Sequence, residues 1–521
     1  MRQKNIAKAK TIRSKALFWA FAVLVPSVLP SATAPSASIP GIPDKVEVDA
    51  GFSTNRTRRA FRDYPVKLDL SGKYGFAADV TVGSLPQFSG FDIQFRSGGG
   101  WYDLHFEPEK EGEPERVVFL LGDAKTEGKP RGWDSIDLVR FSGWREGTND
   151  TFFSLANFSF VDKKAVRAIE SAKERKPQPC PMPDNGEFCA FWCHSAYGLG
   201  SGHDWDSSID FLTRYGYNAI IVNFAWPGVA YYRSSVLPEY PRIGLEGDQL
   251  EKCLAACRKY GVACHVWKVC YNIGTRENSK AFAERMSGEG RTQVRIDGKD
   301  GSGWLCPSDS RNIRYEIDAM VELSGKEGLA GIHFDYIRYP TDKGCYCDGC
   351  RERFELSAGR KVAKWPEDLK KDSALALLWK NWRVANITAV VRGVAERVRP
   401  ANPGMKISAA VFSNPAKSPD MVAQDWLDWC RKGYLDFVCP MNYLNSGVRQ
   451  RAAVLEQLRA TAGLPVKVYP GVGLSVFRKD GCDARRLSGQ IAEIRACGAP
   501  GFTVFNFDRR ALDALPLIPR R

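Results

Sequence analysis

One segment, residues 331–340 (GIHFDYIRYP), combines the apolar content of a strand with side chains that can do chemistry. Ile332, Phe334 and Ile337 are typical of a buried strand, yet a histidine, an aspartate, an arginine and two tyrosines lie among them. Polar residues at the end of a parallel barrel strand face the catalytic mouth. Asp335 is therefore the first candidate for a catalytic carboxylate; the alternative is an aspartate that only fixes the following loop.

Elements that could position such a residue follow one another regularly in residues 185–521. Strand-like runs, separated by segments with helical periodicity, occupy residues 188–193, 219–224, 263–269, 331–337, 407–412, 437–441, 466–469 and 502–507. Alternation repeated eight times predicts an α/β protein with a (β/α)₈ TIM barrel. A doubly wound open sheet is the alternative, but no Gly-x-Gly-x-x-Gly loop follows the first strand.

If the barrel is right, residues at the strand ends form the site. Those ends carry amides, aromatic rings and a few charges, which suit a ligand rich in hydroxyls. The candidate substrate-binding residues are His194, Trp226, His265, Trp267, Lys268, His333, Arg338, Asn442, Tyr443, Asn506 and Asp508. A phosphate or nucleotide site would show glycine-rich loops instead, so we expect a carbohydrate substrate and no catalytic cofactor.

Glycoside hydrolysis normally uses two carboxylates. Asp335 supplies one, but strands five, six and seven end without an acid, so a loop must supply the other. Asp425 is the leading candidate for the second catalytic carboxylate, followed by Asp508 and Asp342. Asp425 could equally be the N-cap of a helix that begins near Trp426, a role that aspartate commonly takes.

Several of these runs resemble bacterial glycosyl-hydrolase-like family 10 proteins, which are secreted (β/α)₈ proteins expected to cleave polysaccharides. The resemblance covers roughly residues 188–508 and lies in residues 265–267 (HVW), 331–340, 424–426 (QDW) and 436–443 (DFVCPMNY). It implies a catalytic role for Asp335 and substrate contacts from His265, His333, Asn442 and Tyr443. The chain departs from true family-10 xylanases, because its strand-seven run, residues 466–471 (VKVYPG), contains no glutamate nucleophile.

All fifteen cysteines follow residue 179, and an odd number cannot all pair within the chain. Three thiols within six residues are too close for each to pair easily with the next, whereas four thiolates satisfy tetrahedral zinc. The spacing resembles the structural zinc site of family-42 β-galactosidases, which implies a structural zinc held by Cys306, Cys345, Cys347 and Cys350. Disulfides are the alternative in an exported protein. Cys253, Cys257 and Cys264 are expected to be small buried hydrophobic residues.

The N-terminal part, residues 45–162, is predicted to form a β-sandwich, because short evenly spaced β-runs are separated by Gly, Pro, Asn and Asp clusters. It resembles in plan the jelly-roll carbohydrate-binding modules attached to secreted glycosidases. Trp101, Tyr102 and Trp133 could stack on sugar rings; the alternative is that they are core residues. A basic stretch and a proline-rich segment make residues 163–184 a linker.

The N-terminus has the three parts of a signal peptide. Its first fifteen residues hold six Lys or Arg and no acid, residues 16–29 are apolar, and residues 31–34 (SATA) are small. A signal peptide over residues 1–34 makes the protein secreted or periplasmic. An uncleaved anchor is the alternative, but the apolar run is short, Pro26 interrupts it, and no later stretch is long enough to span a membrane.

Removing the signal peptide lowers the formal charge from +14 to +8, because six basic residues and no acids are lost. Basic and acidic residues are interleaved elsewhere, which argues against nucleic-acid binding. The sequence therefore predicts a secreted glycoside hydrolase. The alternatives are a carbohydrate-binding barrel without catalysis and a carbohydrate-active enzyme of another type, such as a lyase.

Overall fold

The computed structural model describes residues 23–24, 39–164, 166, 186–200, 202–274, 277–478 and 481–518. Apart from Val23–Leu24, the predicted signal peptide lies outside the described residues, as does most of the predicted linker. Residues 39–166 form most of one compact unit, and residues 186–477 together with 481–518 form the other. None of the helices that the structure describes is both long and apolar enough to cross a membrane.

The N-terminal unit is a sandwich of two antiparallel sheets, as predicted. One sheet contains, in spatial order, Val23–Leu24, Glu115–Leu120, Gly75–Val82, Thr151–Val161 and Lys45–Ala50. The other contains Arg59–Leu68, Ile136–Arg145, Phe88–Phe106 and Lys125–Pro130. Phenylalanines fill the space between the sheets: the Phe76 ring lies 4.8 Å from the Phe119 ring and 5.9 Å from the Phe95 ring, centroid to centroid.

Two of the three aromatic residues that could stack on sugars are partly buried and pack against this core. The Tyr102 and Trp133 rings stack on each other at 4.0 Å, and Trp133 also contacts Phe95 at 5.5 Å. This packing fits the alternative that the two rings support the core, and sugar stacking by these residues stays a prediction. Trp101 instead lies beneath the guanidinium group of Arg140, 5.1 Å from its ring centroid.

The second unit is built on eight parallel strands, numbered here in chain order. Strands one to eight are Phe188–Cys193, Ala219–Trp226, Ala263–Val269, Gly331–Asp335, Lys406–Phe412, Phe437–Met441, the interrupted pair Lys467–Val468 and Gly471–Val472, and Gly501–Phe505. Strand seven closes the barrel, because its first part pairs with strand six and its second with strand eight, which pairs in turn with strand one. The predicted (β/α)₈ barrel is confirmed. Two additions are a short strand, Val229–Ala230, and a hairpin of Thr292–Val294 with Asp300–Leu305.

Helices fill the connections between barrel strands. They are Trp205–Arg214, Ile243–Glu246, Gln249–Tyr260, Lys280–Gly288, Ser310–Ser324, Asp348–Ala358, Asp368–Lys371, Ser373–Ala401, Ser418–Val422, Trp426–Arg431, Gly447–Ala460, Asp483–Ala496 and Arg509–Ala514. Aspartates cap several of their first turns: the side chains of Asp204, Asp248 and Asp372 each accept from backbone N–H groups at a helix start. These caps fix the residue at which each of the three helices begins.

Strand alternation places the key residues of strand four in a column inside the barrel. Gly331, His333 and Asp335 share one face because their positions differ by two. Gly331 is required at the base of this column, since a Cβ there would lie 2.2 Å from His265 Nδ1. His333 occupies the middle of the barrel and Asp335 its C-terminal end, which is where active sites lie in this fold.

Candidate active site

Asp335 is a buried carboxyl at the end of strand four. It is 6% exposed, and its Oδ1 accepts from the backbone N–H of Tyr336 at 2.6 Å. Burial raises the pKa of Asp335 to about 6, against the opposing effects of Arg338, the Tyr336 N–H and Trp267. A carboxyl with such a pKa can hold a proton at mildly acidic pH and donate it to a leaving group.

Aromatic side chains surround this end of the barrel. The exposed His194 ring lies 5.9 Å from the Trp226 ring and 5.6 Å from the Trp267 ring. Tyr443 stacks on Phe505 at 5.3 Å, and burial followed by the charge of Asp335 raises the pKa of Tyr443. The structure therefore brings His194, Trp226, Trp267 and Tyr443 to the mouth, as the strand-end argument predicts. Flat apolar surfaces of this kind suit sugar rings.

A second candidate carboxyl, Asp508, follows strand eight, which is opposite strand four in the ring of strands. The Asn506 side chain accepts from the His194 N–H at 2.9 Å and donates to Asp508 Oδ2 at 3.4 Å. Asp508 caps the helix Arg509–Ala514 by accepting from the Arg510 N–H at 2.9 Å. Burial nevertheless raises the pKa of Asp508. Asn506 and Asp508 are thus part of the mouth.

Asp425 is a helix N-cap, the role that the sequence offers as the alternative to catalysis. Its carboxylate accepts from the backbone N–H of Asp428 at 3.2 Å and caps the helix Trp426–Arg431. Within the described ranges, no hydrogen bond or ion pair joins Asp425 to Asp335. Asp342, the third candidate, is exposed in the loop after strand four.

Lys268 and Asn442 do not reach the mouth, which corrects their prediction as substrate contacts. Lys268 points outward from strand three and forms a fully buried ion pair with Glu316 of the surrounding helix Ser310–Ser324. Asn442 is also fully buried, and its amide exchanges hydrogen bonds with that of Gln457 at 2.7 and 3.1 Å. Both side chains have protein partners that a substrate would have to displace.

The two strand histidines lie below the mouth, so the substrate contacts implied by the resemblance are corrected for both. His265 is 2% exposed near the base of the barrel, 5.5 Å from the Phe437 ring, and burial lowers its pKa to about 4. His333 accepts from Trp192 Nε1 at 3.1 Å through Nε2, and its Nδ1 lies 2.8 Å from Ser408 Oγ. Burial lowers the pKa of His333, so this imidazole is neutral and holds the strands together beneath Asp335.

Three aromatic rings surround the Arg338 guanidinium, a feature that sequence reasoning missed. Its Cζ lies 4.6 Å from the Tyr336 ring centroid, 5.1 Å from Phe412 and 5.7 Å from Trp304. Phe412 ends strand five, and Trp304 lies in the hairpin before strand four. The tryptophan ends a glycine-rich run (residues 301–304, GSGW) inside the strand Asp300–Leu305, and such a glycine-rich run does not resemble a strand in the sequence.

The four predicted ligand cysteines come together beside the loop after strand four. The sulfur atoms of Cys306, Cys345, Cys347 and Cys350 all lie within 4.8 Å of one another. Cys306 Sγ is 3.5 Å from Cys350 Sγ and 3.9 Å from Cys347 Sγ, too far for disulfide bonds. This group, named here the four-cysteine cluster, could hold a metal ion.

A second group, named the three-cysteine cluster, was not predicted as a unit. Cys253 and Cys257 lie on the helix Gln249–Tyr260, and Cys264 lies on strand three. Their sulfur atoms also lie within 4.8 Å of one another, and all three residues are buried.

Comparison with known protein families shows which family the barrel unit resembles. The glycosyl hydrolase-like 10 family matches residues 201–477, more than half of the chain. The chain belongs to this family. The resemblance found in the strand-four motif is thereby confirmed, and membership of the glycosyl hydrolase-like 10 family supports a carbohydrate-active function.

Solved structures are similar to this glycosyl hydrolase-like 10 protein at low sequence identity. The glycoside hydrolase domain of PgaB (BpsB) from Bordetella bronchiseptica is 14% identical, with a TM-score of 0.50 over 64% of this chain and 99% of that chain. A β-galactosidase from Bacillus circulans sp. alkalophilus is 12% identical, with a TM-score of 0.44 over 62% of this chain and 50% of that chain. An endo-1,4-β-mannanase from Rhizomucor miehei is 10% identical, with a TM-score of 0.41 over 66% of this chain and 97% of that chain. No curated protein sequence matches the chain.

Proposed function

We propose that the protein is an exported glycoside hydrolase that cleaves O-glycosidic bonds of an oligo- or polysaccharide, with Asp335 as the proton donor. The observation that carries the proposal is a buried carboxyl, with a pKa raised to about 6, at the C-terminal end of a barrel strand and among aromatic rings. Such a carboxyl is protonated when a leaving group needs a proton, and the rings can pack on sugar faces. Export rests on the predicted signal peptide.

The second carboxylate is either Asp508 or Asp425. Asp508 is the better placed, because it follows strand eight, opposite strand four, and lies beside Asn506 and His194. Asp425 is the first choice from the sequence; its carboxylate caps its own helix, as that of Asp508 also does, so capping alone does not separate the two. We therefore propose Asp508 as the carboxylate that acts on the sugar or on the attacking water, and Asp425 as the one to test against it.

The test measures hydrolysis of a glycan panel by Asp335→Asn, Asp508→Asn and Asp425→Asn. Asp335→Asn should lower the turnover of unactivated glycans by about 10²- to 10⁴-fold and should lower it far less for aryl glycosides with a good leaving group, which need no proton. Asp508→Asn should lower both, and Asp425→Asn should change activity only as much as it changes stability. Glu396→Gln, on the exposed face of Ser373–Ala401, is the control. Unchanged hydrolysis by Asp335→Asn would remove it from the mechanism, and binding without turnover by the parent would favour a carbohydrate-binding protein.

Stability provides a second readout for Asp335. Its folded-state pKa of about 6 lies above the ordinary 3.8, so ionised Asp335 costs stability as the pH rises through this window. Asp335→Asn removes the cost and should raise the free energy of unfolding at pH 7 by about 1 to 3 kcal/mol, with no gain below about pH 4. Urea unfolding at both pH values measures this. An equal effect at the two pH values would show that burial of the charge is not its cause.

We also propose that the four-cysteine cluster holds a structural zinc ion. Four thiols at tetrahedral spacing suit Zn²⁺, and a site closed by four protein ligands leaves no position for substrate. The backbone N–H groups of Val294 and Cys350 donate to Cys345 Sγ and Cys347 Sγ at 3.4 Å, which would orient those sulfurs and stabilise their charge. Such an ion would fix the loop after strand four and take no part in the chemistry.

A further inference from the structure

The guanidinium group of Arg338 lies at the candidate active site with few partners. Its nitrogens offer five donors, but one hydrogen bond is present, from Nη1 to the Tyr339 carbonyl at 3.3 Å. The Nε atom is buried without a partner. Among the described residues, no carboxylate forms an ion pair with Arg338 within 4.0 Å. Because Arg338 is partly exposed and only its Nε atom is buried without a partner, the rest of the guanidinium edge is open to solvent or to a ligand.

Another buried arginine shows what a structural guanidinium looks like in this barrel. Arg383 is 4% exposed, and its Nη2 donates to the carbonyls of Thr341 and Gly344, both at 2.8 Å, although its Nε, like that of Arg338, is buried without a partner. Arg383 therefore holds the loop after strand four. Arg338 has no comparable set of backbone acceptors, although it is only three residues from Asp335.

The surroundings of Arg338 are open to a ligand. Arg338, Tyr336, Trp304 and Phe412 are each partly exposed, in contrast to the buried Asp335 beside them. The rings keep water from the flanks of the guanidinium and hold it in place through cation–π contacts at 4.6 to 5.7 Å. A planar guanidinium with free N–H groups matches the two oxygens of a carboxylate or a sulfate.

We propose that Arg338 forms an anion subsite next to Asp335, so that the substrate is a glycan that carries a carboxylate or sulfate group near the bond to be cleaved. This inference rests on the proposed function for its catalytic part, but not for its binding part. The anionic group pairs with the guanidinium while the partly exposed Trp304 and Tyr336 rings contact the sugar that bears it. A neutral glycan would leave the guanidinium without a partner.

A rival role for Arg338 is to tune Asp335, because its charge lowers the pKa of that carboxyl. Tuning would affect every substrate equally, whereas an anion subsite affects charged substrates alone. The two roles therefore separate in a comparison of matched charged and neutral ligands.

The test uses the full chain carrying Asp335→Asn, which binds without hydrolysis under the proposed mechanism. The ligands are oligouronides of several linkages, the same oligomers after carboxyl reduction, and sulfated oligosaccharides with their desulfated counterparts. Quenching of tryptophan fluorescence reports binding beside Trp304, and the added change Trp304→Phe should remove most of that signal. We expect one anionic class to bind at least about tenfold more tightly than its neutral counterpart. Which class does so distinguishes a carboxylate from a sulfate.

Arg338→Gln in the same background should abolish this preference by weakening the anionic ligand alone, and Arg338→Lys should retain part of it. Equal weakening of charged and neutral ligands, or no preference for any anionic ligand, would overturn the inference. Circular dichroism and thermal melting check that the variants are folded. If the anionic preference is found but the unmutated chain hydrolyses no glycan, the proposed hydrolase fails and the anion subsite stands.

Discussion

The two cysteine clusters of the barrel unit look alike in the spacing of their sulfur atoms and differ in what surrounds them. In the four-cysteine cluster, backbone N–H groups donate to two of the sulfurs at 3.4 Å, and the Arg353 guanidinium lies 3.9 Å from Cys306 Sγ. In the three-cysteine cluster, Cys253 Sγ lies 3.9 Å from the sulfurs of Cys257 and Cys264. Across the described part of the chain, no N–H group donates to these three sulfurs.

This difference bears on how well each cluster stabilises several thiolates at once. A buried thiolate needs donors or a cation, because an uncompensated buried charge is costly, and metal binding requires the thiolate form. The four-cysteine cluster supplies backbone donors and a guanidinium in contact with a sulfur, whereas in the three-cysteine cluster only the neighbouring thiols of Cys253 and Cys264, and to a smaller extent the charge of Arg258, lower the pKa of Cys257 to about 5. Proximity of sulfur atoms alone therefore does not make a metal site. We expect one zinc ion per chain, bound to the four-cysteine cluster.

The largest expected effect is the loss of that zinc. Cys345→Ser replaces a thiolate with a hydroxyl, which is a poor zinc ligand, and should reduce the zinc content from one per chain to near zero. The free energy of unfolding should fall by more than about 4 kcal/mol, the range reached when a metal site is lost. Elemental analysis and urea unfolding measure the two effects, and a zinc chelator added to the unmutated protein should reproduce the second.

A matched control for this change is Cys439→Ser. Cys439 is buried on strand six, outside both clusters, and its sulfur lies 3.4 Å from Thr503 Oγ1. It should keep one zinc per chain. If Cys345→Ser also kept its zinc, the four-cysteine cluster would not be the metal site, and the surroundings of its sulfur atoms would not explain metal binding.

The next effect tests whether the surroundings of the sulfurs matter. Arg353→Gln removes the cation beside Cys306 and should raise the dissociation constant for zinc about tenfold, or about 1.4 kcal/mol. Competition with a chromophoric chelator measures it. Arg351→Gln is the control, because Arg351 lies on the same helix but pairs with Glu355 at 3.0 Å. An equal change in both variants would show that the effect comes from altering the helix and not from removing the guanidinium beside Cys306 Sγ.

Features set by short spacing were predictable from the sequence. The three cysteines of residues 345–350 are neighbours in any fold. In the strand-four motif, the two-residue period of a strand already places Gly331, His333 and Asp335 on one face. The sequence does not show how far along a strand the mouth begins, so His265 was expected there although it lies near the base. Nor does it show which face of strand three turns outward, so the sequence predicts a substrate contact for Lys268, which instead pairs with Glu316. Cys264 joins Cys253 and Cys257 only through packing of a strand against a helix.

The smallest expected effect gives the sharpest test of the comparison. Cys264→Ala removes one sulfur from the three-cysteine cluster and should lower the free energy of unfolding by about 1 kcal/mol, as for a modest cavity in a core. The zinc content should remain at one per chain, because among the described residues no backbone N–H group donates to the sulfurs of this cluster and no guanidinium contacts them. A parent protein with two zinc ions per chain, of which Cys264→Ala loses one, would contradict this. Spacing would then suffice to bind metal, and the N–H donors and Arg353 would be incidental to the four-cysteine cluster.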